Sequence, residues 1–248
     1  MQKEKKTGLE AEIKEIQNVF INYCSANRHR FFDLSREKIE NFTRDFIEVF
    51  PKRPVEDNTG GGGLAPNYWL FLTARILEPG LIVESGTWRG QTSWLLRQAC
   101  PTAEIHSFDI NLKRLEHKDD TIFYHEQDWM RWDIVNKNHE KGLVFFDDHI
   151  NQAKRVREAY ERGFKRLVFD DNVPADQVDR VGIPPFPTIS MIFDKELKEG
   201  DTISWRLKDR VYTYTYTYSS KDTYSAKELI KNYFVFPTYT CLTLVELK

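Results

Sequence analysis

The chain has 248 residues, 36 Lys and Arg against 38 Asp and Glu, a formal net charge of −2, and 40% hydrophobic and 14% aromatic residues. That balance lacks the basic surplus of a nucleic-acid binder and supplies enough apolar material for a sizeable core, which excludes global disorder. No run approaches the ~18 apolar residues of a membrane span. Cys24, Cys100 and Cys241 are odd in number and widely spaced, which fits a reducing compartment and neither a disulfide framework nor a zinc site. The charged N-terminus lacks the apolar core of a signal peptide, so a cytoplasmic location is the default expectation.

Residues 8–50 read as helical, because Ile13, Ile16, Val19, Phe20 and Tyr23, then Ile39, Phe42, Phe46 and Phe50, recur at helical spacing. Residues 1–58 are expected to form a helical cap on the main domain, with a dimer arm or a lid as the alternative. Pro51 to Gly63 breaks the helices, and the glycines Gly60 to Gly63, Gly62 and Gly63 included, leave a backbone that can approach a ligand, move as a lid, or simply link. A helix over Pro66 to Leu77 ends at Glu78-Pro79-Gly80.

The first central strand, Leu81 to Glu84, runs into Ser85-Gly86-Thr87-Trp88-Arg89-Gly90-Gln91-Thr92 and a helix. Gly86 permits a tight turn, Gly90 lets the helix start lie close to the strand, and the free N–H groups there suit an anion. Trp88 occupies the second glycine position of GxGxxG, so a pyrophosphate does not fit easily across the turn. The next strand, Glu104 to Ile110, ends in Asp109 about 20 residues past the turn, where an acid can take both ribose hydroxyls or cap a helix. A third strand, Thr121 to His125, runs into Glu126-Gln127-Asp128-Trp129. A polar side chain there suits an adenine amino group, and Trp129 suits either ring stacking or the core.

Gly142 to Val173 reads as strand, helix, strand, with each strand ending in acid. Leu143 to Phe146 breaks into Asp147-Asp148-His149, and Arg166 to Phe169 into Asp170-Asp171-Asn172. A crossover makes the two strands parallel neighbours, which places both acidic ends at the carboxyl edge where open α/β sheets bind ligands. Carboxylates and an amide oxygen there suit a hard divalent cation such as Mg²⁺. His149 is the titratable candidate for a base, Asp148 the candidate helix cap. The basic residues Lys154, Arg155, Arg157, Arg162, Lys165 and Arg166 read as a solvated helix face.

Beyond Val173 the chain turns loop-like, with an insertion over about 174–233. Trp205 to Tyr218 alternates with period two and is expected to be one strand. Its tyrosines suit the core, a subunit interface that would leave a homo-oligomer open, or a sugar platform. A short helix over Ser225 to Tyr233 and a closing antiparallel hairpin through Phe234 to Thr238 and Cys241 to Leu247 complete the reading.

The order of glycine turn, ribose acid and acidic strand ends resembles class I S-adenosylmethionine-dependent methyltransferases, most closely the metal-dependent O-methyltransferases of the catechol type and of the sugar-modifying type from macrolide and aminocoumarin pathways. The resemblance covers roughly residues 60–175 and the closing hairpin. It implies an α/β, doubly wound, mostly parallel seven-stranded sheet with an N-terminal helical extension, the catalytic domain being 59–248. It implies S-adenosylmethionine held by Glu84, Ser85, Gly86, Thr87, Gly90, Thr92 and Asp109, with Gly62, Gly63, Asp128, Trp129 and Asp147 also at the cofactor. By the same resemblance Asp147, Asp171 and Asn172 are the metal ligands, with Mg²⁺ as the cation and with Asp148 or Asp170 as the alternative to its neighbour where the acids are doubled. The catechol family's lysine base falls on Ile150, which cannot act, whereas the sugar-modifying enzymes place an acid or histidine where His149 stands. The implied acceptor is therefore a sugar or glycan with vicinal hydroxyls, or alternatively a catechol-like small molecule; neither nucleic acid nor membrane is an expected partner. Two rivals remain. A nicotinamide-dependent sugar oxidoreductase lacks its GxGxxG turn and Tyr-xxx-Lys pair here, and a metal-dependent hydrolase leaves Asp109 and the glycine turn without a task.

Overall fold

The computed structural model describes residues 2–27, 35–133, 139–183, 185–193, 197–217, 225–236 and 241–248, with backbone alone at 2–7 and 23–27. In chain order the elements are α1 (Gln2–Asn27), α2 (Arg36–Val49), α3 (Leu64–Leu77), β1 (Leu81–Ser85), α4 (Gln91–Ala99), β2 (Glu104–Asp109), β3 (Phe123–Glu126), β4 (Leu143–Phe146), α5 (Gln152–Glu161), β5 (Arg166–Phe169), α6 (Val178–Val181), α7 (Ile189–Phe193), β6 (Thr202–Leu207), β7 (Arg210–Thr215), α8 (Ala226–Leu229), β8 (Ile230–Val235) and β9 (Thr243–Leu247).

Seven strands form one sheet in the order β3-β2-β1-β4-β5-β9-β8. The pairs from β3 through β5 are parallel, and β9 runs antiparallel to both β5 and β8. This is the doubly wound, mostly parallel α/β sheet expected above. β1 and β4 are buried along their whole length, as near-continuous apolar runs are when helices cover both faces. Their side chains alternate between two cores. Ile82, Ile105, Phe145 and Val168 join α1–α4 on one face, and Leu81, Val83, Val144, Phe146 and Phe169 join α5, α7 and α8 on the other. The strand order reverses between β1 and β4, so a crevice opens beyond their carboxyl ends.

The N-terminal helices share the first core. Ile13, Ile16, Phe20, Ile39, Phe46 and Phe50 are buried there, and the Trp69 ring packs against Phe20 at 4.6 Å and Phe236 at 5.1 Å. The Tyr23 and Cys24 side chains lie outside the described residues. Among the described residues no helix is long and apolar enough to cross a membrane.

Two elements differ from the sequence reading. The expected single strand over Trp205 to Tyr218 is a hairpin, β6 with β7, turning at Lys208, whose φ is +56°. The alternation of residue types continues across the turn, which hides it. Tyr216 and Trp205 are buried and Tyr212 and Tyr214 pack on the apolar clusters, so that face is core; Tyr218 lies outside the described residues. The expected helix over Ser225 to Tyr233 is a single capped turn followed by strand β8. Ser225 and Glu228 form a capping box that starts the helix, but pairing with β9 captures the chain from Ile230 onward.

Candidate active site

The turn after β1 closes against the neighbouring strands. The Gly86 N–H donates to the Phe108 carbonyl, and the Asp147 N–H to the Ser85 carbonyl. Gly86 has a φ of +105°, and a Cβ there would lie 2.3 Å from the Asp147 carbonyl oxygen, so only glycine fits. Gly90, with a φ of +88°, is pressed as closely on the His117 carbonyl. Asp109 stands at the end of β2, accepting from the backbone N–H of Trp88 at 3.1 Å and of Asn111 at 2.9 Å. Beside it lies a cavity of about 330 Å³ lined by Gly60, Ser85, Gly86, Trp88, Phe108, Asp109, Ile110, Gln127, Asp128, Asp147, Asp148, His149, Ile150 and Arg155, within the usual size range of small-molecule sites.

The sequence candidates divide around this cavity. Ser85, Gly86, Asp109, Asp128, Asp147 and His149 are on its wall. Glu84 and Thr87 lie beneath the turn, fully or almost fully buried. Gly62 and Thr92 line a separate small void with Asn67, Asp147 and Asp170, and Gly60, not Gly62 or Gly63, reaches the main cavity, stacked on Trp88. Trp129 does not reach it. Its ring is 0% exposed, packed edge-on to Phe146 at 5.3 Å, with the Arg162 guanidinium over it. The stacking role is thereby corrected to a core role.

Glu84 accepts hydrogen bonds from the Ser93 and Ser107 hydroxyls, and its Oε1 is buried with no partner among the described residues. Burial pushes its carboxyl up to about 7, against the lowering effect of the two serines. Ionisation is thus penalised in the folded chain. The penalty is absent near pH 4, grows as pH rises from the unfolded value, and reaches roughly 3 kcal/mol above pH 7. Glu84→Gln is expected to flatten this dependence, so that urea midpoints fall less between pH 5 and pH 8 than in the parent; an unchanged slope contradicts the assignment.

The two acidic strand ends meet as predicted, and the doubled acids take separate roles. Asp147 faces the cluster. Asp148 turns away, accepting from the Ser85 hydroxyl at 2.6 Å and Arg155 Nε at 2.9 Å. Asp170 is held by its neighbour's N–H, with its carboxyl pushed up to about 7 by burial and then by Asp171. Asp147 is raised well above the carboxylate range, by burial first and then by Asp170 and Asp171. One ligand atom each of Asp147, His149 and Asp171 falls within 4.8 Å of the others. His149 Nε2 lies 3.1 Å from Asp171 Oδ2 and 3.8 Å from Asp147 Oδ1, and the hydrogen bond it donates to Asp171 raises its pKa. The expected third ligand, Asn172, is engaged elsewhere: its Oδ1 accepts from Ser190 N–H and its Nδ2 donates to the Thr243 hydroxyl. The amide anchors the end of β5 to α7 and β9.

Three non-glycine residues of the site hold left-handed backbones: Trp88 at +49°, His149 at +57° and Asp171 at +55°. Such conformations cost of order 1–3 kcal/mol each and collect at functional sites. The sequence reading missed three features. Phe186 stacks on the His149 ring at 5.9 Å, Ile110 stands 80% exposed at the cavity, and Arg155, expected on a solvated face, is 2% exposed. For Arg155 the available signal was Glu158, one helical turn on, with which it pairs.

No family model and no curated protein matches the chain. Its fold is similar to that of the SAH-bound methyltransferase PaMTH1 from Podospora anserina, with 14% identity, 94% of this chain and 96% of that one covered, and a TM-score of 0.47. It is similar to a methyltransferase from Geobacter sulfurreducens, at 13% identity, 84% and 89% coverage and a TM-score of 0.46. It is also similar to a Mg-SAM form of cmcI, at 14% identity, 50% and 64% coverage and a TM-score of 0.37. Likenesses at this level concern the path of the chain and leave the chemistry to the residues.

Proposed function

We propose that the chain is an S-adenosylmethionine-dependent, divalent-cation-dependent O-methyltransferase for an acceptor with vicinal hydroxyls. The observation that carries this reading is a single cavity whose wall carries Asp109 and the glycine turn together with Asp147 and His149.

The residues fit both groups. Asp147, Asp170 and Asp171 crowd together beside His149, and burial of like charges this close favours a divalent cation among them. Asp147 and Asp171 would hold it. A bound cation there supplies charge stabilisation for a hydroxyl that is losing its proton. For the cofactor, the unpartnered Oε1 of Glu84 and the start of α4 match the opposite charges of an amino-acid moiety. Asp109 keeps lone pairs free for two hydroxyl donors, and Ile110 offers an apolar face to the base.

His149 is assigned as the proton acceptor. Asp171 orients its ring by hydrogen bond and Phe186 by stacking, so the free edge can receive the acceptor's proton. In the cation-free chain Asp171 biases the imidazole toward its charged form; a cation that engages Asp171 removes that bias. A sugar or glycan acceptor follows from a histidine base in place of lysine. A flat, catechol-like acceptor is the second reading, favoured by Ile150, which is 37% exposed, and by the aromatic edge of Phe186.

The test is release of S-adenosylhomocysteine with methyl glycosides or catechol as acceptors. Release is expected to require both acceptor and Mg²⁺ and to stop with chelator. Absence of release with every acceptor and cation contradicts the proposal.

A further inference from the structure

Arg155 lies on the second turn-face of α5 that should be solvated, yet it is 2% exposed. Its guanidinium gathers carboxylates from three places in the chain. Nε donates to Asp148 Oδ2 at 2.9 Å, Nη2 to Asp128 Oδ2 at 2.8 Å, and Nη1 to Glu158 Oε2 at 2.6 Å and Asp128 Oδ1 at 3.3 Å. Asp128 and Asp148 come from the loops after β3 and β4, and both line the cavity with Arg155 itself. A buried charge with this many charge-assisted bonds is strongly held, and removal of the guanidinium leaves two loop carboxylates without their charged partner.

Asp128 is held at both oxygens. Oδ1 also accepts the Met130 N–H at 2.8 Å, so three of the roughly four lone-pair positions of a carboxylate are filled. The fourth belongs to a group that can only accept. A hydrogen-bond donor on a ligand is therefore welcomed at this wall and a carbonyl oxygen is repelled, provided the carboxylate cannot swing away.

We propose that Arg155 is a positioning residue for the cofactor pocket, fixing the Asp128 carboxylate so that the site selects a base bearing an exocyclic amino group. The inference rests on the S-adenosylmethionine reading and adds to it the residue that sets base selectivity. The guanidinium fork is required, since a lysine ammonium is a point charge that cannot span Asp128 and Asp148 together.

The experiment compares S-adenosylhomocysteine with S-inosylhomocysteine, in which a carbonyl replaces the amino group, by calorimetric titration of the full chain. The parent is expected to prefer the adenosyl compound at least about tenfold. Arg155→Met is expected to bring that ratio to within about twofold, and Arg155→Lys to recover only part of it. Asp128→Asn leaves Arg155 paired with Asp148 and Glu158 and presents an amide that can donate to the carbonyl, so its preference is expected to shift toward the inosyl compound; this variant decides the matter if Arg155→Met does not fold. A folded Arg155→Met with the parent's ratio, or an Asp128→Asn that discriminates as the parent does, overturns the inference while leaving the cofactor reading intact. A parent chain that binds neither compound overturns both.

Discussion

Asp147→Asn is expected to act in opposite directions on function and on stability. It removes a carboxylate from the cation cluster, so divalent-cation binding should weaken by more than the 10- to 100-fold typical of outer-shell changes, and turnover should fall with it. The cation-free protein, however, should become more stable at alkaline pH. Asp147 is raised well above its ordinary value by burial and by the carboxylates of Asp170 and Asp171. A folded-state value above the unfolded one, about 3.9, means that the folded chain is penalised as pH climbs through that window toward the raised value, and that no penalty exists below it. Asparagine cannot ionise and escapes the penalty. In chelator, the thermal midpoint of the variant should exceed that of the parent at pH 8, and the two should converge toward pH 4. A variant less stable than the parent at both ends would show that the cluster is not under like-charge stress.

Gly86→Ala should damage both halves of the site through one methyl group. The position has a φ of +105°, and the added Cβ would sit 2.3 Å from the Asp147 carbonyl oxygen and 2.6 Å from its carbonyl carbon. The left-handed backbone costs an L-residue about 1–2 kcal/mol, and overpacking against backbone adds about 1–3 kcal/mol. A loss of about 2–5 kcal/mol in unfolding free energy is expected, with weaker cofactor and cation binding together, because relief requires β1 and β4 to part at their carboxyl ends. Denaturant unfolding and titration of the same preparation check this. A variant with parental stability would mean that the turn relaxes independently of Asp147.

Much of the arrangement was legible because local and global signals agree. β4 and β5 are short apolar runs that stop at acids, and their parallel pairing brings Asp147 and Asp171 together without further information. The glycine turn announced itself through residues whose backbone conformations suit few others. What was hidden depended on partners distant in sequence. Arg155 looks solvent-facing until Asp128, from another loop, is seen to pair with it. Trp129 and Asn172 carry side chains fit for ligands, but tertiary packing uses them as core and as anchor. The β6–β7 turn at Lys208 has no glycine or Asn-Gly pair to mark it, so the alternation of types read as one strand.

S-adenosylmethionine beside Asp109 and a divalent cation between Asp147 and Asp171 are the two ligands proposed for the site. Calorimetric titration of S-adenosylmethionine, with and without Mg²⁺, on the parent chain, Asp109→Ala and Asp147→Asn tests this pairing most directly. Binding near the micromolar range is expected for the parent, its loss in Asp109→Ala, and in Asp147→Asn retained cofactor binding without a response to Mg²⁺. A parent chain that takes up no S-adenosylmethionine in either condition would contradict it.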